Sequence, residues 1–174
     1  MMEEKSFRQS YRASIVYPEI EKWMIAHQLR IKDFAKLIDV SYNHTACILH
    51  GYHEPRLRII RKILNATGLT FTEAFCTTMP LKKQRRDYYT SRNRTYTREW
   101  EAYWPNLETL FKEKKIRLID LANEFDTYGK GVRLMVTAKN GKEPDMSLYY
   151  VKRFLELTGD TFEHLFALPE SERM

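Results

Sequence analysis

The chain repeats itself, and this restricts its fold more than any other feature. At an offset of 87 residues, Tyr17-Pro18-Glu19-Ile20 falls on Trp104-Pro105-Asn106-Leu107, and Leu29-Arg30-Ile31-Lys32-Asp33-Phe34-Ala35 falls on Ile116-Arg117-Leu118-Ile119-Asp120-Leu121-Ala122. Asp39 then meets Asp126, and the offset drifts to 90 at Gly51/Gly141, 89 at Glu54-Pro55/Glu143-Pro144 and 91 at Thr67-Gly68/Thr158-Gly159. Phe71 and Phe75 are answered by Phe162 and Phe166. Each copy, about 60 residues long, must close a small core of its own. The resulting division is an N-terminal arm over 1–16, a first unit over 17–76, a connection over 77–103 and a second unit over 104–174.

Apolar spacing makes both copies helical. Ile20, Trp23, Met24 and His27 recur at helical intervals after Pro18, a residue suited to a first helical turn, which predicts a helix over about 18–27. Phe34, Ala35 and Ile38 mark a second short helix. Ser41 is placed to cap a third, whose inward positions are Thr45, Ile48 and Leu49 and which Gly51 ends. Pro55 is expected to open a fourth helix carrying Leu57, Ile59, Ile60, Ile63 and Leu64, stopped by Gly68. Thr70 and Glu73 have capping-box spacing for a last helix with Ala74 and Phe75. The expected fold is all-α: two small helix-turn-helix bundles of about five short helices each, joined by a basic linker.

Charge is unevenly distributed. The formal net charge is +6, and residues 82–98 alone carry seven basic side chains against one acid, Asp87. Residues 104–174 hold 11 basic and 12 acidic side chains, so the second unit has no surplus. Such a balance points to a polyanionic partner met chiefly by the connection. No apolar run is long enough to span a membrane, Met1-Met2-Glu3-Glu4-Lys5 lacks the apolar core of a signal peptide, and the two cysteines lack CxxC spacing. A cytoplasmic protein that does not engage membranes is the expectation, nucleoid-associated if the polyanion is DNA.

The run Gln28 to Ser41, followed by Ile48-Leu49-His50-Gly51 and Pro55, resembles the Cro/C1-type (XRE-like) helix-turn-helix domain of phage and bacterial repressors. The resemblance covers about residues 17–76 and rests on Ala35, Val40, Ser41 and Gly51. Departures are Asp39 for the turn glycine, Ile31 where the family often has a phosphate-touching polar residue, and His50 for asparagine. About 104–167 look like a diverged second copy. Ala122 to Gly141 spans three residues more than Ala35 to Gly51; the extra length is expected as a longer turn over Asp126–Gly131, before a recognition helix over about Val132–Asn140. Arg133 and Thr137 would face outward there if Met135 and Ala138 face in.

The resemblance implies a sequence-specific double-stranded DNA-binding regulator of transcription, a repressor of phage or mobile-element type, with the third helix in the major groove. Base contacts then fall to Tyr42, Asn43, His44 and Cys47 in the first unit and to Arg133 and Thr137 in the second. A carboxamide such as that of Asn43 can bond both N6 and N7 of adenine. Phosphate contacts fall to Ser41, His53, Arg56, Arg58 and Lys130, to Arg61 and Lys62 beside them, and to Lys82, Lys83, Arg85, Arg86, Arg92, Arg94 and Arg98 of the connection. The same Tyr-interleaved segment suits a minor groove or unpaired bases, and is long enough to let one chain span two half-sites.

Two other chemistries are set aside. His44, Cys47, His50 and His53 recur at every third position, yet on one helix residues 44 and 50 point about 120° apart and cannot share a tetrahedral site. No nucleophile, phosphate-loop or metalloprotease motif is present, so neither a cofactor, a metal nor an enzymatic activity is expected. The alternative to an operator binder is a helix-turn-helix scaffold turned into an inhibitor or adaptor directed at protein, RNA or a nucleoprotein complex, such as an anti-CRISPR-like phage counter-defence protein. A homodimer is compatible with either reading.

Overall fold

A computed structural model describes residues 14–76, 101–125, 127, 129–138 and 140–170. The described residues are helical and contain no β-strand, and they divide into two compact units, one within 1–79 and the other within 80–174. The first unit holds α1 (Pro18–Ala26), α2 (Ile31–Leu37), α3 (Tyr42–Leu49), α4 (Leu57–Thr67) and α5 (Phe71–Phe75). In the second are α6 (Pro105–Glu113), α7 (Leu118–Glu124), α8 (Gly129–Val136), α9 (Leu148–Thr158) and α10 (Phe162–Leu165). No helix among the described residues is long and apolar enough to cross a membrane.

The helices form where the sequence places apolar residues three and four apart, and α1, α2, α3, α4, α6 and α9 stop ahead of a residue with left-handed backbone. In the first unit Ile20, Met24, Phe34, Ala35, Ile48, Leu49, Leu57, Ile60, Ile63, Phe71 and Phe75 are buried. Burying one such aliphatic or aromatic side chain contributes about 1.5–3 kcal/mol. Thr70 caps α5, accepting from the Glu73 N–H, and the Glu73 carboxylate accepts in turn from the Thr70 N–H at 2.8 Å. This reciprocal bonding, led by the backbone bond from Thr70, holds the Glu73 carboxyl below its usual range.

One expected start differs, and one expected cap lacks its side-chain bond. Helix α4 begins at Leu57 with Arg56 as its N-cap, two residues after Pro55, which is buried ahead of the first turn. Ser41 does occupy the N-cap of α3, but its hydroxyl makes no capping hydrogen bond.

The repeat is structural as well as sequential. The Val16 N–H donates to the Leu49 carbonyl at 2.8 Å, and 87 residues on the Tyr103 N–H donates to that of Val136 at 2.7 Å. In each unit, therefore, the strand of chain ahead of the first helix is tied to the end of the third. Tyr17 meets Phe75 edge-on at 5.3 Å between ring centroids, and Trp104 meets Phe166 edge-on at 5.0 Å. The Trp104 indole N–H donates to Glu143 at 2.8 Å; its counterpart Tyr17 has a phenol pushed up to about 12, by burial first and by the charge of Glu54 second.

The backbone tie fixes the register of α8 and corrects the expected recognition helix. Helix α8 covers Gly129–Val136, not Val132–Asn140, and lies at a constant offset of 87 from α3. The three extra residues therefore follow the third helix instead of preceding it. Val132 and Val136 are the buried positions, Met135 is half-buried, and Ala138 is exposed beyond the helix. Glycines at 129 and 131 read as a turn because they weaken a helix by roughly 1 kcal/mol each, but burying two valines at helical spacing outweighs that cost.

The same register pairs Thr45 with Val132. Thr45 is 1% exposed and its hydroxyl has no hydrogen-bond partner, an arrangement that costs about 1–3 kcal/mol. Thr45→Val, which copies the second unit, is expected to raise the thermal midpoint of the first unit by about 4–8 °C per kcal/mol recovered, as followed by circular dichroism. An unchanged or lower midpoint would show that the hydroxyl is satisfied in solution.

A second expectation concerns alkaline pH. With its folded pKa raised from 10.0 to about 12, Tyr17 contributes stability in full below pH 10 and loses it as pH rises toward 12. Between pH 9 and 11.5 the urea midpoint of the wild type should fall further than that of Tyr17→Phe; parallel profiles would contradict the burial of the phenol.

Candidate nucleic-acid interface

The connection between α2 and α3 is four residues, Ile38 to Ser41. It closes as a Schellman motif: the Asp39 N–H donates to the Lys36 carbonyl and the Val40 N–H to that of Ala35, at 3.1 and 3.0 Å. Asp39 takes φ +50°, the left-handed region that glycine usually fills and that aspartate tolerates better than most residues. From α4, Lys62 donates both to the Asp39 carbonyl, at 2.8 Å, and to its carboxylate, at 2.9 Å. That hydrogen bond first, and the ammonium charge second, hold the Asp39 carboxyl below its usual range. Lys62, expected among the phosphate-facing cations, thus spans the turn. In the second unit Arg153 of α9 makes the matching tie, donating to the Glu124 carbonyl at the end of α7 at 3.2 Å.

With α2 and its turn fixed, α3 turns Thr45, Ile48 and Leu49 inward and leaves Ser41, Tyr42, Asn43 and His44 exposed at its start. Tyr42 is 54% exposed. Cys47, one turn further along, is half-buried. The Tyr52 and His53 N–H groups both donate to the Cys47 carbonyl, drawing the following loop over the end of α3. The His53 ring consequently stands edge-on to that of His44, with centroids 6.4 Å apart. Arg56 and Arg58 are exposed at the start of α4, and Arg61 is half-buried. Exposed Tyr52, 72% accessible, was not singled out in the sequence; its position after Gly51 in a loop pinned to α3 marks it. Ile31 is half-buried at the first position of α2.

In the second unit Lys130 and Arg133 are exposed on α8, and so is Leu134, at 59%. Thr137 does not stand on the outer face of this helix. It follows the last helical residue, is half-buried, and its hydroxyl donates to the Arg133 carbonyl at 2.7 Å. Lys82, Lys83, Arg85, Arg86, Arg92, Arg94 and Arg98 lie outside the described residues.

Charge at the helix starts follows the repeat. Helices α1, α2, α5, α6, α7 and α10 each carry an acid in the first turn, whereas α3, α4, α8 and α9 carry none. The partial positive charge at a helix N-terminus is thus left without a carboxylate at the third and fourth helices of both units. From Val40 through Thr72 the only carboxylate is Glu54. No family model, curated protein or solved structure matches the chain.

The Asp39–Lys62 tie yields an acid-stability expectation. A carboxyl with a lowered folded pKa contributes stability above its unfolded value, 3.8, and loses it as pH falls through the folded value. Lys62→Met should lower the urea midpoint at pH 6, and the difference from wild type should shrink as pH falls below 3.8, leaving the share that belongs to the bond with the Asp39 carbonyl. A difference independent of pH would assign the whole effect to the carbonyl bond and the packing of the lysine stem, and none to the carboxylate.

Proposed function

We propose that the protein is a sequence-specific double-stranded DNA-binding regulator of transcription, of the Cro/C1-like helix-turn-helix kind. It acts by binding, not catalysis, and the first unit is its main reader. The observation that carries this reading is the start of α3. Four polar residues, Ser41 to His44, stand exposed on a helix whose first turn has no acid and which a four-residue turn sets against α2. A helix so displayed suits the major groove, where side chains of the first turns reach base edges. Asn43 pairs with adenine; Tyr42, His44 and Cys47 flank it; Ser41, His53, Arg56 and Arg58 approach phosphates. The seven cations of 82–98 supply sequence-independent attraction, and repression by a phage or mobile element is the role the family resemblance implies.

Selection from a random duplex pool with the full chain tests the reading. An enriched motif supports it. Enrichment of none, with RNA or a nucleoprotein bound instead, would transfer the scaffold to the adaptor role. With a motif in hand, Asn43→Ala should relax preference at one position, cutting discrimination by about fivefold or more. The pair Arg85→Ala, Arg86→Ala should weaken all sequences alike and reduce the log–log salt slope by about 1–2. Equal loss on selected and random DNA for Asn43→Ala would remove that residue from base recognition.

A further inference from the structure

Resting on the proposed function, we infer that the two units read unlike half-sites: an adenine-bearing one beneath α3, and a shorter one beneath α8 in which Lys130 takes a guanine edge and Leu134 a thymine methyl. The constant 87-residue register between the helices carries this. It is fixed by the paired ties Val16–Leu49 and Tyr103–Val136 and by the paired burial of Thr45 with Val132 and of Leu49 with Val136. Positions 42, 43, 44 and 47 of the first unit therefore correspond to Gly129, Lys130, Gly131 and Leu134. Two of the four reading positions in α8 have no side chain. The carboxamide of Asn43 is replaced by an exposed ammonium, and half-buried Cys47 by a leucine 59% exposed.

The chemistry of each replacement is distinct. A lysine donates to the paired O6 and N7 acceptors of guanine, and has no acceptor with which to recognise the adenine amino group, as asparagine does. An exposed leucine gains nothing from water but gains apolar contact from a C5-methyl group, which thymine has and cytosine and uracil lack. Glycine at 131, where the first unit has His44, removes the side chain that would hold a groove wall away and allows close approach of the backbone. Arg133, expected from the sequence to meet a base, falls in this register on half-buried Ala46 of the first unit; exposed beside the four reading positions, it is a phosphate contact here. A protein with two identical readers demands a repeated or palindromic site. These differences predict a non-palindromic one.

Selection with the full chain should return one motif of two dissimilar halves, the second with fewer specified positions and containing G and T. Replacing that thymine by uracil should weaken wild-type binding severalfold and change Leu134→Ala binding little, since that variant lacks the side chain set against the methyl; the exposed leucine is dispensable for folding, which the variant's thermal midpoint checks. Lys130→Ala should lower discrimination for the guanine by about fivefold or more and leave the adenine-bearing half unchanged. Two copies of one motif, a single half-site, or equal sensitivity of wild type and Leu134→Ala to uracil would overturn the inference while sparing the DNA-binding reading. Failure to enrich any motif would overturn both.

Discussion

The turn at Asp39 governs what the first unit displays. A left-handed residue after α2 lets the chain reverse within four residues, and the two backbone bonds of the Schellman motif fix the direction in which it leaves. The ammonium of Lys62, delivered by the amphipathic helix α4, occupies both the carbonyl and the carboxylate of that residue. One interaction thus links three helices. It joins the end of α2 to the helix that closes the core, and by doing so sets the start of α3, with its exposed polar residues, at a defined place on the surface.

The second unit keeps this arrangement with different side chains. Arg153 ties α9 to the end of α7 through the Glu124 carbonyl, Trp104 with Glu143 stands where Tyr17 and Glu54 do, and Asp120 accepts from the Arg117 N–H as Asp33 does from that of Arg30. The groups that hold the frame are paired across the repeat, whereas those on the outer faces of α3 and α8 are not. Such a division fits two related scaffolds whose exposed helices serve unequal tasks, in line with a charge surplus concentrated in the connection.

Much of the frame was legible in the sequence because its causes are local. Helix ends at Asp39, Gly51, Gly68 and Gly159 follow from left-handed backbone at residues that tolerate it to different degrees, and the Thr70–Glu73 box follows from spacing. The register of α8 was not legible. Ala122 and Gly141 bracket three extra residues without saying on which side of the helix they lie, and Gly129 and Gly131 favour a turn by propensity alone. The tie from Tyr103 and the burial of Val132 and Val136, contacts between residues distant in sequence, decide it. The position of Thr137 follows from the same register, and the role of Lys62 at the turn, where the sequence suggests a phosphate contact, is hidden because its partner lies 23 residues away.

By itself the sequence determined a repeated, all-helical chain, with apolar residues at helical intervals, caps and turn residues at the joints, and a basic connection; these are properties of neighbours, set within a few residues by sterics, hydrogen bonding and hydrophobic periodicity. Only the tertiary structure decided which residues of the second unit's third helix face outward. That choice depends on where each helix lies against its core, and one buried valine pair moved the outward set in the second unit by three residues.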